Sequence, residues 1–570
     1  MATKESGQLA RRETVPTAAQ NPAAGEKGLK TGTLGLISSI LIGVASTAPA
    51  YSLAASLGYV VLVANGDGLV GLKAPSIMLL AFVPMYFIAV AYSELNKAEP
   101  DCGTTFTWAA RAFGPKVGWM GGWGILVADI IVMANLAQIA GSYTFALFGL
   151  DSLADSTFWS TVAGVLWIAI MTYICWRGLE LSARIQYVLL SIELVVLVIF
   201  AVYALIKVFG SNPPPDSMHP SLSWLWPSGL SVSALVTATL IAVFIYWGWD
   251  SAVSVNEETK DPEKTPGRAA VLSTLLLLTT YAIVSIAVVA FAGVGDSGSG
   301  LGNPDNADDI FASLGAEVFG NSALGKVMGT LLIITVLTSA SASTQTTILP
   351  TARTSLSMAV YKALPARFAR IHPRNLTPST STIWMGAISI IFYVGLTLVS
   401  ENILADTIAA VGLLIAFYYG LTGFACVWFY RRNLTSSVRN FVMQGLFPFL
   451  GGLSLLGAFS VASIQYADPE YGYTSLGSIG GVFVIGIGSL LLGVILMFVW
   501  QAMHSDYFRG ETLPKRASDE LVLAGQVDQR DRLGLPDSGE MSTVIAPDLS
   551  NLPPGQKAVH PIEPEDDASR

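Results

Sequence analysis

The stretch IGVASTAPAYS, residues 42–52, decides how this chain is read. It sits in the middle of an apolar run from about Thr33 to Ala64 that carries no charged side chain. At a helical rise of about 1.5 Å per residue, such a run crosses a hydrocarbon core of about 30 Å. Yet its centre holds Gly43, Ser46, Thr47 and Pro49. Proline has no N–H and clashes with an uninterrupted helix. Ser46 and Thr47 offer short hydroxyls that satisfy freed backbone groups. An interruption is intolerable against lipid but useful around a buried polar ligand. A break near Val44–Ala48 leaves amide N–H groups at a half-helix N-terminus, where an anion is favoured. The carbonyls at the opposing C-terminal end suit a cation or an ammonium group. An amino acid zwitterion needs both. Read alone, the stretch is also compatible with a simple proline kink.

The rest of the chain supports the membrane reading. Its 570 residues are 52% hydrophobic and only 12% charged, about half the charged share of a soluble protein. Apolar runs of about 20 residues or more recur, whereas the short alternating segments of a membrane β-barrel do not. The first 30 residues are polar, so no signal peptide is expected. Cys102, Cys175 and Cys426 lie near segment ends and suggest no disulfide. His219, His372, His504 and His560 are scattered, and no metal or haem site is expected. Walker A and dinucleotide motifs are missing, as is any nucleophile, base and oxyanion set. Neither an enzyme, a cofactor nor a nucleic-acid partner is expected.

About twelve spans emerge: 33–64, 74–95, 117–149, 158–176, 183–209, 229–255, 267–293, 322–358, 380–399, 403–430, 440–464 and 475–503. One set of loops collects Lys97, Arg111, Lys116, Arg177, Arg184, Lys260, Lys264, Arg268 and the bases between Lys362 and Arg374, with Arg431, Arg432 and Arg439. The alternate set holds little beyond Lys73, Lys207 and Lys326 and is acidic, as in NPDNADD (303–309) and YADPEYG (466–472). The excess of positive charge predicts the cytoplasmic side. Both termini then lie in the cytoplasm, in agreement with an even span count, and the plasma (inner) membrane is the expected location. Residues 1–30 and the Pro-rich, acidic stretch 504–570 are expected to be disordered tails around a transporter domain at 31–503.

The sixth span is also interrupted, at Tyr246, Trp247, Gly248, Trp249 and Asp250. It lies five spans after the first and enters from the opposite side. Two interrupted helices at matching positions of two five-helix units with opposite topology are the mark of an inverted-repeat secondary transporter. The units are 33–209 and 229–430, with two peripheral helices in 440–503.

Three stretches carry a family resemblance across about residues 30–500. YSELNKAEPDCGTTFTWAARAFGPKVGWMGGW (92–123), IYWGWDSAVSVNEETKDPEKTPGRAA (245–270) and TARTSLSMAVYKALPARFARIHPRNLTPST (351–380) resemble the amino acid–polyamine–organocation permeases. The resemblance implies an all-α LeuT-type core of ten helices plus two, alternating access, and substrate held between the breaks of helices 1 and 6. On that match Ala45, Ser46, Thr47 and Ala48 line the first break, and Tyr246, Trp247, Gly248, Trp249 and Asp250 the second. Either tryptophan is a candidate lid over the substrate, or a packing residue. Helix 1 reads A-S-T-A-P where relatives often carry Gly-Ser-Gly. Glu193 stands in IQYVLLSIELVVLVIF (185–200) where several proton-coupled relatives have a lysine.

Ionisable groups inside spans are costly and default to function. The candidates are Asp129, Glu193, Asp250 and Asp406. Glu193, about ten residues into its span, is the expected proton carrier or ligand of a coupling cation, unless it is a neutral acid bonded between helices. Asp250 is expected to orient a substrate amine or to cap the half-helix. LTSASASTQTT (337–347) is rich in hydroxyls. Close helix packing explains it, or, by the LeuT-type resemblance, part of a sodium site at Ser341 and Thr344, with Ser343 next. Glu94 with Arg111, and Glu257 and Glu258 with Lys260 and Arg268, are expected to form salt bridges that close the inner gate. The leading expectation is an amino acid importer coupled to H+ or Na+. A polyamine or organic amine carrier or exchanger is the alternative, and a sensor or channel-like facilitator stands behind both.

Overall fold

The computed structural model describes residues 26–307, 309–399 and 403–516. Of the tails expected at 1–30 and 504–570, residues 1–25 and 517–570 lie outside them. Among the described residues, eleven helices or helix pairs are long and apolar enough to cross a membrane. The first is a pair, α1 (Leu36–Thr47) and α2 (Pro49–Leu62). There follow α3 (Ala74–Ala98), the short α4 (Thr105–Phe113), α5 (Pro115–Ala146), α6 (Asp151–Ala154), α7 (Thr157–Arg177) and α8 (Leu179–Val208). The second half holds α9 (Val232–Tyr246), α10 (Ser251–Ser254), α11 (Thr265–Ala292), α12 (Ile310–Phe319), α13 (Ala323–Val360), α14 (Ser379–Val399) and α15 (Ile403–Phe429). The short α16 (Val438–Asn440) leads through a π-helical turn, Phe441–Leu446, into α17 (Phe447–Gln465), and α18 (Gly481–Met503) ends the bundle. The predicted sixth span is α9, a break and α10, so neither piece alone is long enough to span. Proline stands in the first turn of α2, α5 and α11, where its missing N–H has no intrahelical partner to lose.

Contacts between spans repeat when each span number is shifted by five. Span 1 packs on span 7 as span 6 packs on span 2, through α1–α11 and α9–α3. Spans 1 and 5 meet as 6 and 10 do, through α1–α8 and α9–α15. The pairs 5–7 and 2–10, 3–10 and 5–8, 3–4 and 8–9 behave likewise. The contacts α3–α11 and α5–α13 map onto themselves. Two five-helix units thus share one packing plan, as an inverted repeat requires, and α17 and α18 pack outside it against α15.

Helices at the edge of the bundle sort their residues by face, as α8 does. In α8, Val195, Val198, Val202 and Ile206 are exposed at helical spacing, while Gln186, Leu190, Glu193 and Leu197 are buried on the opposite stripe. An outward apolar stripe suits lipid, and the same pattern turns Glu193 into the bundle.

The packed chain extends beyond the boundaries that composition suggested. Ahead of the first helix Leu29 is buried and the Lys27 side chain is 10% exposed. Past residue 503, Tyr507 and Leu513 are buried against Phe106, Trp119 and Met358. Isolated apolar residues in a polar context gave no periodic signal, yet each fills a pocket between helices.

Candidate functional site

The first break is built as its sequence suggests. Ala48 takes left-handed angles, φ 47° and ψ 67°, which a non-glycine residue rarely adopts, and Pro49 opens the next half-helix. Hydroxyls meet the carbonyls that α1 leaves at its end. Thr47 Oγ1 donates to the Val44 carbonyl at 2.6 Å, and Ser52 Oγ to the Thr47 carbonyl at 2.5 Å. Ser343 Oγ, from α13, donates to the Ser46 carbonyl at 2.8 Å, and the Ala45 carbonyl accepts the Ala48 N–H at 3.2 Å.

The second break lies directly against the first. α9 ends at Tyr246, and Gly248 adopts φ 118°. A Cβ at Gly248 would stand 2.7 Å from the Ser46 carbonyl carbon and oxygen and 2.9 Å from the Thr47 nitrogen. Only glycine fits there, on both sterics and angle. The hydroxyls of Ser46 and Ser251 meet at 2.8 Å.

Glu193 reaches the break from α8. Its Oε1 accepts from the Ala50 N–H and from Ser339 Oγ, each at 2.7 Å. Ser339 Oγ in turn accepts the Tyr51 N–H at 3.2 Å. The other oxygen, Oε2, is buried and has no hydrogen-bond partner among the described residues. The first-turn amides of α2 are therefore all accounted for. Pro49 has none, Ala50 meets Glu193, Tyr51 meets Ser339, and Ser52 donates to the Ala48 carbonyl. The anion-favouring helix end that the sequence predicts exists, and the carboxyl group at it is the chain's own.

The aromatic residues of the second break have distinct surroundings. Trp249 is fully buried, with ring centroids 5.1 Å from Tyr92 and 5.1 Å from Tyr419. Trp247 donates its indole N–H to the Tyr418 hydroxyl. Tyr246 packs edge-on to Tyr281 at 5.0 Å. Asp250 precedes α10 without a side-chain cap, contrary to one expectation, and accepts from the Tyr418 hydroxyl at 3.2 Å. Asp129, on α5, accepts from Thr351 Oγ1 of α13.

Other candidates fall elsewhere. Thr344 donates to the Ala340 carbonyl of its own helix at 2.8 Å, the usual back-bond of a helical threonine. Ser341 Oγ is buried without a hydrogen-bond partner among the described residues. The hydroxyls of α13 that reach the break are instead Ser343 and Ser339, one helical turn apart, and only the first was singled out in the sequence. Asp406 lies in the first turn of α15 and accepts the N–H groups of Tyr473 and Thr474 at 2.8 Å. It anchors a loop on the acidic side, next to a cleft of about 480 Å³ lined by Tyr59, Thr237, Ile241 and Tyr473. It does not join the breaks.

The Lys/Arg-rich side carries a second cluster, with different partners from those expected. Glu257 pairs with Lys27, whose Nζ lies 2.7 Å from both Glu257 and Asp101. Asp101 also accepts from Gly103 N–H, Ser357 Oγ and Tyr361 OH. Glu258 forms a two-pronged pair with Arg353, at 2.6 and 3.0 Å, both almost fully buried. Arg111 pairs with Glu99, and Glu94 with Lys97 and Arg439. Charge sign was legible in the sequence, but the pairing depends on how the loops fold over one another. Asp101, Cys102 and Glu257 place possible ligand atoms within 4.8 Å, and Lys27 already bridges the two carboxylates. Burial opposes charging Asp101, but the neighbouring Lys27 charge and the donated hydrogen bonds outweigh it and hold its carboxyl below the usual range. Burial likewise opposes the Lys27 ammonium, and Asp101 and Glu257 hold its pKa well above the usual value.

Comparison with known proteins places this geometry. Residues 34–468 match the family model described as amino acid permease. The chain is 24% identical over 433 residues to the low-affinity putrescine importer PlaP of Escherichia coli, covering 74% of this chain and 87% of the relative. It is 23% identical over 503 residues to the branched-chain amino acid permease BcaP of Bacillus subtilis, covering 85% and 95%. With the branched-chain amino acid permease BcaP of Lactococcus lactis it shares 27% identity over 234 residues, 37% of this chain and about half, 47%, of that relative's length. The family match spans well over half the chain. The chain belongs to the amino acid permease family and is a multi-pass membrane transporter rather than an enzyme.

Proposed function

We propose that this permease is a secondary active transporter that moves an amino-bearing solute, an amino acid or an amine, by alternating access, and that a proton or sodium gradient drives import. One arrangement carries the reading. Two interrupted helices from opposite halves lie backbone to backbone, beside a buried carboxylate with one unengaged oxygen. Ala48 and Gly248 are the hinges, since each sits where regular helix has stopped. The half-helices can then tilt without breaking hydrogen bonds against lipid. The Lys27 and Arg353 pairs hold the Lys/Arg-rich side shut, and that side faces the cytoplasm of a plasma-membrane protein with both tails inside. Trp247, tethered by one hydrogen bond, is the better lid than Trp249, which is packed on several faces.

Glu193 is the coupling group in this reading. A proton or Na+ at Oε2 neutralises a carboxylate that holds the N-terminus of α2. Its loading therefore biases the position of the half-helix, which is the differential interaction that coupling requires. The test is uptake by purified protein in liposomes, with labelled amino acids and amines, under a proton gradient, a sodium gradient or neither. Accumulation under one gradient identifies the driving ion. Glu193→Gln should lose gradient-driven accumulation while keeping exchange. Uptake that never exceeds equilibrium would make the protein a facilitator, and binding without uptake would favour a sensor.

A further inference from the structure

We infer that Glu193 occupies the place of a substrate carboxylate, and that this permease selects organic amines lacking a carboxylate over the parent amino acids. The inference rests on the transport reading above and narrows its substrate class. A broken helix offers an anion the N–H groups of its first turn. In α2 those groups are taken, by Glu193 at Ala50, by Ser339 at Tyr51 and by the Ala48 carbonyl at Ser52. A solute carboxylate arriving there would have to displace the Glu193 carboxyl from the Ala50 N–H, or lie beside a like charge while Glu193 is ionised, and either is unfavourable in a buried site.

No compensating cation stands nearby among the described residues. Among the described residues the well-buried bases are Lys27, Arg111 and Arg353, and all three are bound in ion pairs on the Lys/Arg-rich side. The buried acids of the centre, Glu193, Asp129 and Asp250, are met by hydroxyls and backbone amides and enter no ion pair among the described residues. Asp129 and Asp250 are within electrostatic reach of one another. A buried site with uncompensated acids attracts an ammonium group and repels a carboxylate. A zwitterion gains at one end and loses at the other, whereas a monoamine or diamine only gains.

The experiment uses pairs that differ by the carboxylate alone: ornithine and putrescine, arginine and agmatine, tyrosine and tyramine, leucine and isoamylamine. Each is tested on the purified wild-type protein as a competitor of uptake in liposomes and as a thermal stabiliser. The amine of a carried pair should compete at a concentration at least about tenfold lower than its parent amino acid. Glu193→Ala frees the Ala50 N–H and should narrow or reverse that ratio. Glu193→Gln keeps an acceptor on Ala50 and should retain most of it. Equal or better competition by the amino acids overturns the inference and leaves the transport reading standing. An unchanged ratio in a folded Glu193→Ala protein also overturns it. If that variant does not fold, the wild-type ratio decides. Neither competition, uptake nor stabilisation by any pair overturns the transport reading, and the inference with it.

Discussion

Two buried acidic regions of this molecule face opposite problems. On the Lys/Arg-rich side, Asp101, Glu257 and Glu258 each hold a Lys or Arg within 2.7 Å. At the helix breaks, Glu193, Asp129 and Asp250 hold hydroxyls and backbone amides instead. Burying a charge is expensive in either case. Where a fixed cation compensates it, the result is a latch, and removing one member of a buried pair costs roughly 3–5 kcal/mol. Where only dipoles surround the acid, the proposed reading reserves it for something mobile, a solute amine or a coupling ion. In the proposed reading, the comparison separates acids that hold the protein shut from acids that hold its cargo.

The comparison breaks most readily at the contact between the breaks. Gly248→Ala puts a Cβ 2.7 Å from the Ser46 carbonyl and strains a backbone at φ 118°, a penalty of about 1–3 kcal/mol from the angle alone. Uptake should fall below detection while the protein still inserts, read by initial rates and by the yield of monodisperse protein. Near-normal transport would show that the breaks move apart in the working cycle more than this packing suggests.

A smaller effect is expected at the latch. Lys27→Met removes the charge that Asp101 and Glu257 share, so the Lys/Arg-rich side should open more often. Cys102 is buried beside Lys27 and reports that opening. Its alkylation rate should rise about tenfold, corresponding to a shift of roughly 1.4 kcal/mol in the opening equilibrium. An unchanged rate would mean that Arg353 with Glu258 keeps this side closed without Lys27.

The smallest expected effect concerns pH. Asp101 is depressed below the unfolded carboxylate value of about 3.9, so its contribution is present above that pH and fades only as pH falls through the depressed value. Lys27 is raised above the unfolded value of about 10.4, so its contribution is present below that pH and fades as pH rises through the raised value. Between about pH 5 and 9 both partners stay charged. The pH profile of uptake should therefore keep its midpoint in Lys27→Met, whatever the change in rate. A displaced midpoint would give the latch a share in proton coupling.

Much of the site was legible before any coordinate. Pro49 beside Ser46 and Thr47 announced the first break, and Gly248 among aromatic residues the second. Glu193 stood out as an acid in mid-span. Its partner Ser339 lay in a hydroxyl-rich stretch where Ser341 and Thr344 looked equally eligible, because sequence spacing does not reveal how a long helix is rotated. Asp406 looked like the other intramembrane acids until its place at the helix end showed it holding a loop. Lys27 looked like one more charge in a polar tail.

The sequence by itself determined the apolar lengths, the two interruptions, the sidedness of charge and the family resemblance. These are local properties, written in runs of side chains and in the backbone limits of proline and glycine. Only the tertiary structure decided which buried acid meets which partner. Glu193 finds Ala50 across 143 positions and Lys27 finds Glu257 across 230. Such pairings depend on the rotation and register of each helix against its neighbours, and those are set when the whole bundle packs to leave as few buried polar groups unpaired as it can.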